Sequence, residues 1–121
     1  MKKTIAVVED NRDNRLLLQA FLSDRFAIVE YDTGPGALEG IAKQRPDLVL
    51  LDVSLPGMDG LQVLARLRAE ERFRSLPVIA LTAHAMSGDR ERFLKAGFNE
   101  YVAKPIVDET ILIGAIERLL T

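Results

Sequence analysis

Leu48-Val49-Leu50-Leu51-Asp52, running on into Val53-Ser54-Leu55-Pro56-Gly57-Met58-Asp59-Gly60, decides the fold. Four consecutive apolar residues without polar alternation read as a strand covered on both faces. The run stops on an acid and meets a Pro-Gly and Asp-Gly turn. Val63, Leu64 and Leu67 then repeat at helical spacing. This unit of strand, turn and helix recurs along the chain. Ile5-Ala6-Val7-Val8, Ala27-Ile28-Val29, Val78-Ile79-Ala80-Leu81 and Tyr101-Val102-Ala103 are further short apolar runs. All five read as strands buried on both faces.

Between the runs, Leu17, Ala20, Phe21 and Asp24 make a stripe at spacings of three and four. Ala37, Leu38, Ile41 and Ala42 make another, and Ile111, Leu112, Ala115, Ile116 and Leu119 a last one. The stretch from Ser87 to Ala96 is weaker, carried by Phe93 and Leu94. Gly34-Pro35-Gly36, Arg45-Pro46-Asp47 and Leu76-Pro77 read as turns. Five strands alternating with five helices imply an α/β fold, a parallel sheet with helices on both faces.

The chain has 121 residues, 48% of them hydrophobic and 28% charged, which suits one soluble domain over 1–121. A net charge of −2 with both signs scattered argues against a general binder of nucleic acid or anionic membrane. With no cysteine, disulfides and thiolate metal sites are excluded. No apolar stretch is long enough for a signal peptide core or a membrane span, so the cytoplasm is the expected compartment.

In open parallel sheets, ligands gather beyond the carboxyl ends of the strands. Glu9 and Asp10 follow the first run, Asp52 the third, Thr82 the fourth and Lys104 the fifth. Clustered carboxylates stay ionised together only beside a cation. An oxygen-only site with few protein ligands suits Mg²⁺. A carboxylate can attack phosphorus to form an acyl phosphate, and an ammonium, a hydroxyl and a metal would stabilise the charge on the transferring group. The set therefore has the parts for phosphoryl transfer onto a carboxylate.

On these residues the chain resembles, over essentially its whole length, the receiver domain of two-component response regulators. Glu9-Asp10 is similar to the family's acidic pair, and Asp52 with its turn to the phosphoacceptor. Thr82-Ala83 and Lys104-Pro105 match the other signature positions. The resemblance implies a flavodoxin-like (βα)5 three-layer sandwich with a five-stranded parallel sheet of order 2-1-3-4-5. It implies that Asp52 is phosphorylated by a histidine kinase or histidine phosphotransfer protein. It implies Mg²⁺ on Asp10, Asp52 and the Ser54 main-chain carbonyl, with Glu9 acting through water. Thr82 and Lys104 would contact the phosphoryl oxygens, and Tyr101 would be the switch aromatic. A cis peptide is implied between Lys104 and Pro105. Ser54 and His84 stand two residues after Asp52 and Thr82, where the family tunes dephosphorylation.

Plainer readings stand beside these. Glu9-Asp10-Asn11 can cap a helix, and capping coexists with metal binding. His84, the one histidine, lacks partners for metal or phosphohistidine chemistry and reads as a loop residue. Arg66, Arg68, Arg72 and Arg74, with Glu70 and Glu71, read as a solvated helix face. Ile111-Ile113 are three apolar residues in succession, so at least one should face outward. With Ile106 and Val107 nearby, two readings stay open: the face of the fourth helix, fifth strand and fifth helix binds a partner or a second copy in a homodimer, or these residues simply pack beneath a terminus.

Phosphorylation would then shift a two-state equilibrium that partners read. A relay receiver cut from a hybrid histidine kinase stays open. A small Mg²⁺-dependent phosphatase with an aspartyl nucleophile is disfavoured, because Ser54 stands where a second acid would serve a leaving group and no insertion is long enough for a lid.

Overall fold

Successive residues of each inner strand point to opposite faces of one sheet, and both faces are apolar. The computed structural model describes residues 2–83 and 89–120. The elements are β1 (Thr4–Val8), α1 (Arg12–Leu22), β2 (Ala27–Tyr31), α2 (Gly34–Lys43), β3 (Leu48–Asp52), α3 (Gly60–Ala69), β4 (Val78–Thr82), α4 (Asp89–Ala96), β5 (Glu100–Ala103) and α5 (Glu109–Leu120), with a 3₁₀ turn at Glu71–Phe73. The strands are all parallel, in the order β2-β1-β3-β4-β5. This is the flavodoxin-like three-layer sandwich.

Val49 and Leu51 point to one face, where Ala37, Ile41, Val63, Leu64, Leu67 and Phe93 bring α2, α3 and α4 against the sheet. Leu48 and Leu50 point to the other, where Leu18, Leu22, Leu112 and Ile116 bring α1 and α5. Burying each such side chain stabilises the fold by roughly 1.5–3 kcal/mol. The helix starts are specified locally. Asn11 accepts from the Asn14 N–H and Thr33 from that of Gly36, while Asp59 and Gln62 form a reciprocal capping box.

Several sequence expectations need correction. The outer strands are not covered on both faces: Ala27 and Glu30 of β2 and Ala103 of β5 are exposed, because each of these strands has a neighbour on one side only. Helix α1 buries Leu18 and Leu22, leaving Leu17 37% exposed and Ala20 in solvent, and it ends before Asp24. Leu16-Leu17-Leu18 satisfies several helical stripes, and only packing against the sheet chooses one.

Gly34-Pro35-Gly36 is the first turn of α2 and not a loop. Its Thr33 cap and a proline near the start suit a helix opening. Gly34 is buried, and a Cβ there would lie 2.9 Å from both the Met58 carbonyl and Val63. On α5, the outward residue is Ile111, 60% exposed, while Ile113 is buried.

Arg68 is not a solvated charge. Its guanidinium donates to the carbonyls of Phe73, Leu76 and Gly97 at 2.7–3.1 Å and to Asn99 Oδ1 at 2.9 Å. Asn99 Oδ1 also accepts from the Val78 N–H. The end of α3 is thereby tied to the entries of β4 and β5. Removing a charged donor from several partly buried carbonyls leaves them unpaired. Arg68→Ala is expected to lose about 3 kcal/mol of stability in urea denaturation, against less than about 0.5 kcal/mol for the exposed Arg66→Ala.

Candidate functional site

The chain leaves β1 towards β2 and returns to β3 on the opposite side, so the ends of β1 and β3 flank the switch point of the sheet. Among the described residues, three polar side chains are buried: Glu9, Asp52 and Thr82, at 0%, 2% and 2% exposure. All three lie at the carboxyl edge. Asp52 and Thr82 are the last residues of β3 and β4, and Glu9 follows β1 directly. Lys104 follows β5, and its N–H donates to the Thr82 carbonyl at 2.8 Å.

The strand ends converge through Lys104. Its Nζ donates to Asp52 Oδ2 at 3.0 Å and to Glu9 Oε1 at 3.1 Å. Asp52 Oδ1 accepts from the Ser54 N–H at 2.9 Å. Gly60 lets α3 close on the acceptor strand: its N–H donates to the Val53 carbonyl at 3.0 Å, and a Cβ there would lie 2.3 Å from the Asp52 carbonyl oxygen.

Helix α1 holds the acidic pair from the other side. Asn14 Nδ2 donates to Glu9 Oε1 at 3.0 Å, and Arg15 Nη1 donates to the carbonyls of Glu9 and Asp10 at 2.9 and 3.0 Å. Sequence reasoning missed both residues. Their signal was a pair of donors three and four positions after the Asn11 cap.

Two acids share one ammonium here, and the electrostatics divide them. Burial pushes the Glu9 carboxyl up to about 7, its contact with Asp52 adds to the rise, and Lys104 opposes it. Burial would also raise Asp52, yet hydrogen bonds from Glu9, the Ser54 N–H and Lys104 hold it below the ordinary value. Burial works to lower Lys104, but its bonds to Asp52 and Glu9 raise it. The buried pair is thus asymmetric: Glu9 holds a proton more tightly than an ordinary glutamate, and Asp52 gives one up more readily than an ordinary aspartate.

One carboxylate oxygen from each of Glu9, Asp10 and Asp52 lies within 4.8 Å of the others. Asp10 is exposed. Such a set of hard oxygens, partly open to water, fits Mg²⁺, which retains several of its waters. A cation there would offset the repulsion among the three carboxylates.

Tyr101 is not among these groups. It stands three residues before Lys104 on β5, half-buried, with its ring 6.0 Å from that of Phe93. The Lys104–Pro105 peptide is cis. His84 lies outside the described residues.

A family model described as the response regulator receiver domain matches residues 5–117. The sensor protein GacS of Pseudomonas syringae pv. syringae is 40% identical over 111 residues, which are 88% of this chain and 12% of that protein. The polar-differentiation response regulator DivK of Brucella anthropi is 38% identical over 107 residues, covering 88% of this chain and 87% of DivK. Among solved structures, the receiver domain of a sensor histidine kinase from Pseudomonas aeruginosa PAO1 has a TM-score of 0.89 and 36% identity, covering 99% of this chain and 98% of that one. That structure holds a magnesium ion coordinated in the active site cleft.

The raised Glu9 carboxyl carries a pH dependence. The folded chain holds this proton more tightly than an unfolded glutamate of pKa 4.5, so the stabilisation is complete below that value and is lost as pH climbs towards about 7. Asp52 acts in the opposite sense, below 3.8 and outside this window. In EDTA, the urea midpoint of the wild type is expected to fall between about pH 5 and about pH 7.5. Glu9→Gln, which cannot ionise, should remove most of that fall. An unchanged slope in the variant would place the proton elsewhere.

Proposed function

The chain belongs to the response regulator receiver family, and on that premise we propose that Asp52 accepts a phosphoryl group and that other cytoplasmic proteins read the change. The observation that carries this reading is the buried Asp52 carboxylate, bonded to Lys104 and within reach of two further acids. Receiver domains are signalling modules, and a turnover enzyme is not needed to explain this site.

The proposed donor is the phosphohistidine of a kinase or a phosphotransfer protein. A carboxylate oxygen of Asp52 attacks phosphorus, the new O–P bond forms as the donor's P–N bond breaks, and the imidazole departs. Lys104 starts on Asp52 and turns its ammonium to the arriving oxygens, and the Thr82 hydroxyl binds another of them. Asp10, Asp52, the Ser54 carbonyl and, through water, Glu9 would hold Mg²⁺. Bound there, the ion supplies positive charge to the phosphoryl oxygens.

The read-out is proposed for the face formed by α4, β5 and α5. Thr82 would move towards phosphate and Tyr101 turn inward beside Phe93. On that face Val107 is 89% exposed and Ile111 60%, along a groove that also includes Ala103 and Ile106. This supports an apolar contact with a downstream protein or a second copy. Because Ile113 is buried, Ile111→Glu is the variant that probes the contact without disturbing the core. The likeness to the receiver domain of a sensor histidine kinase supports a second role, passing the phosphoryl group onward to a phosphotransfer protein.

Intact mass after incubation with acetyl phosphate and Mg²⁺ tests the proposal. The wild type should gain one phosphoryl group, and Asp52→Asn or added EDTA should abolish the gain. No gain from small donors or from a histidine kinase would sink the reading, and an undiminished gain in Asp52→Asn would move the acceptor elsewhere.

A further inference from the structure

The link between β1 and α1 carries the two acids that would hold the cation together with Asp52, yet it is only Glu9, Asp10 and Asn11. Three groups of α1 and its cap reach back onto this link. The Asn11 N–H donates to Glu9 Oε2 at 3.4 Å, Asn14 Nδ2 to Glu9 Oε1 at 3.0 Å, and Arg15 Nη1 to both the Glu9 and Asp10 carbonyls. The Arg15 main-chain N–H also donates to the Asn11 carbonyl at 3.1 Å. One guanidinium nitrogen thus fixes the orientation of two successive peptide planes. Those planes set the direction in which the exposed Asp10 side chain leaves the backbone.

We infer that Asn14 and Arg15 are positioning residues for the cation site: Arg15 aims Asp10 by its backbone, and Asn14 fixes the Glu9 carboxyl. This rests on the reading that Glu9, Asp10 and Asp52 hold Mg²⁺. Three carboxylates within 4.8 Å repel one another. Left unheld, Asp10 would swing outward, and a metal would have to pull it back on binding. Groups that orient metal ligands in this way typically change affinity about 10- to 100-fold when removed.

The sign of the effect separates positioning from charge. A guanidinium close to a divalent cation repels it, so if Arg15 mattered only as a charge, deleting that charge would tighten Mg²⁺ binding. If Arg15 positions Asp10, deleting it weakens binding despite the relief. Arg12 is the control, an exposed cation on the same helix that makes no hydrogen bond to the acidic pair among the described residues.

The experiment is calorimetric titration of the full chain with MgCl₂, in the wild type, Arg15→Gln, Asn14→Ala and Arg12→Gln, each checked for folding by circular dichroism. The expected result is a Kd raised about tenfold in Arg15→Gln and raised several-fold in Asn14→Ala. Arg12→Gln should bind as the wild type does or more tightly. Affinity unchanged or tighter in Arg15→Gln overturns the inference while leaving the cation site intact. If Arg15→Gln does not fold, Asn14→Ala decides alone, and wild-type affinity there overturns the inference. A wild type that takes up no Mg²⁺ removes the cation site itself, and the inference with it.

Discussion

The Lys104 ammonium stands 3.0 Å from Asp52 and 3.1 Å from Glu9, both acids buried at the carboxyl edge of the sheet. Burying a lone carboxylate costs several kcal/mol. Burying two side by side adds their mutual repulsion, about 4 kcal/mol at 4 Å for an effective dielectric of 20. The Lys104 ammonium offsets part of this, and the Glu9 carboxyl responds by holding its proton up to about pH 7. The edge is thus poised: it lacks a full complement of positive charge, and a divalent cation with a phosphoryl group would complete it in a different arrangement. On the proposed function, Lys104 is the group that would change partners between the two.

The rest of the molecule can be read as the support for that contact. Lys104 reaches Asp52 because β4 and β5 stay in register, with Thr82 opposite Ala103. Asp52 is fixed by its own strand and by α3, which approaches closely only because residue 60 has no side chain. Arg68 closes the opposite end of the same strands, binding the carbonyls that precede β4 and β5. The two helical layers are apolar and interchangeable in kind. The edge residues are not, since each needs a strand end at one height in the sheet.

Much of this was legible in the sequence, for a physical reason. A strand buried on both faces has no use for alternation, so β1, β3 and β4 appear as bare apolar runs, and a polar residue at the end of such a run stands out. Glu9, Asp52 and Thr82 are detectable on that ground alone. What escaped depends on packing or on long side chains. Leu17 and Leu18 are equivalent by helical period, and Ile111 and Ile113 nearly so, until a sheet selects one of each. Arg68 looks like its neighbours Arg66 and Arg72, because nothing local shows that its guanidinium will meet carbonyls 29 residues away. Asn14 and Arg15 look like ordinary surface residues of a first helical turn, since their targets are backbone and carboxyl oxygens that only the bend after β1 brings near. Gly34 reads as a turn, because glycine for close approach and glycine for a loop are written the same way.

The central claim is that Asp52, Lys104, Thr82 and the acidic pair form one phosphoryl-accepting site. A crystal structure of the chain grown with Mg²⁺ and beryllofluoride tests it most directly, since that anion mimics a phosphoryl group on a carboxylate. The predicted result is beryllium bonded to an Asp52 carboxylate oxygen, Lys104 and Thr82 on its fluorides, and a cation held by Asp10 and Asp52. Beryllofluoride absent from Asp52, or bound there with Lys104 still paired to both acids and no cation beside it, would contradict the claim.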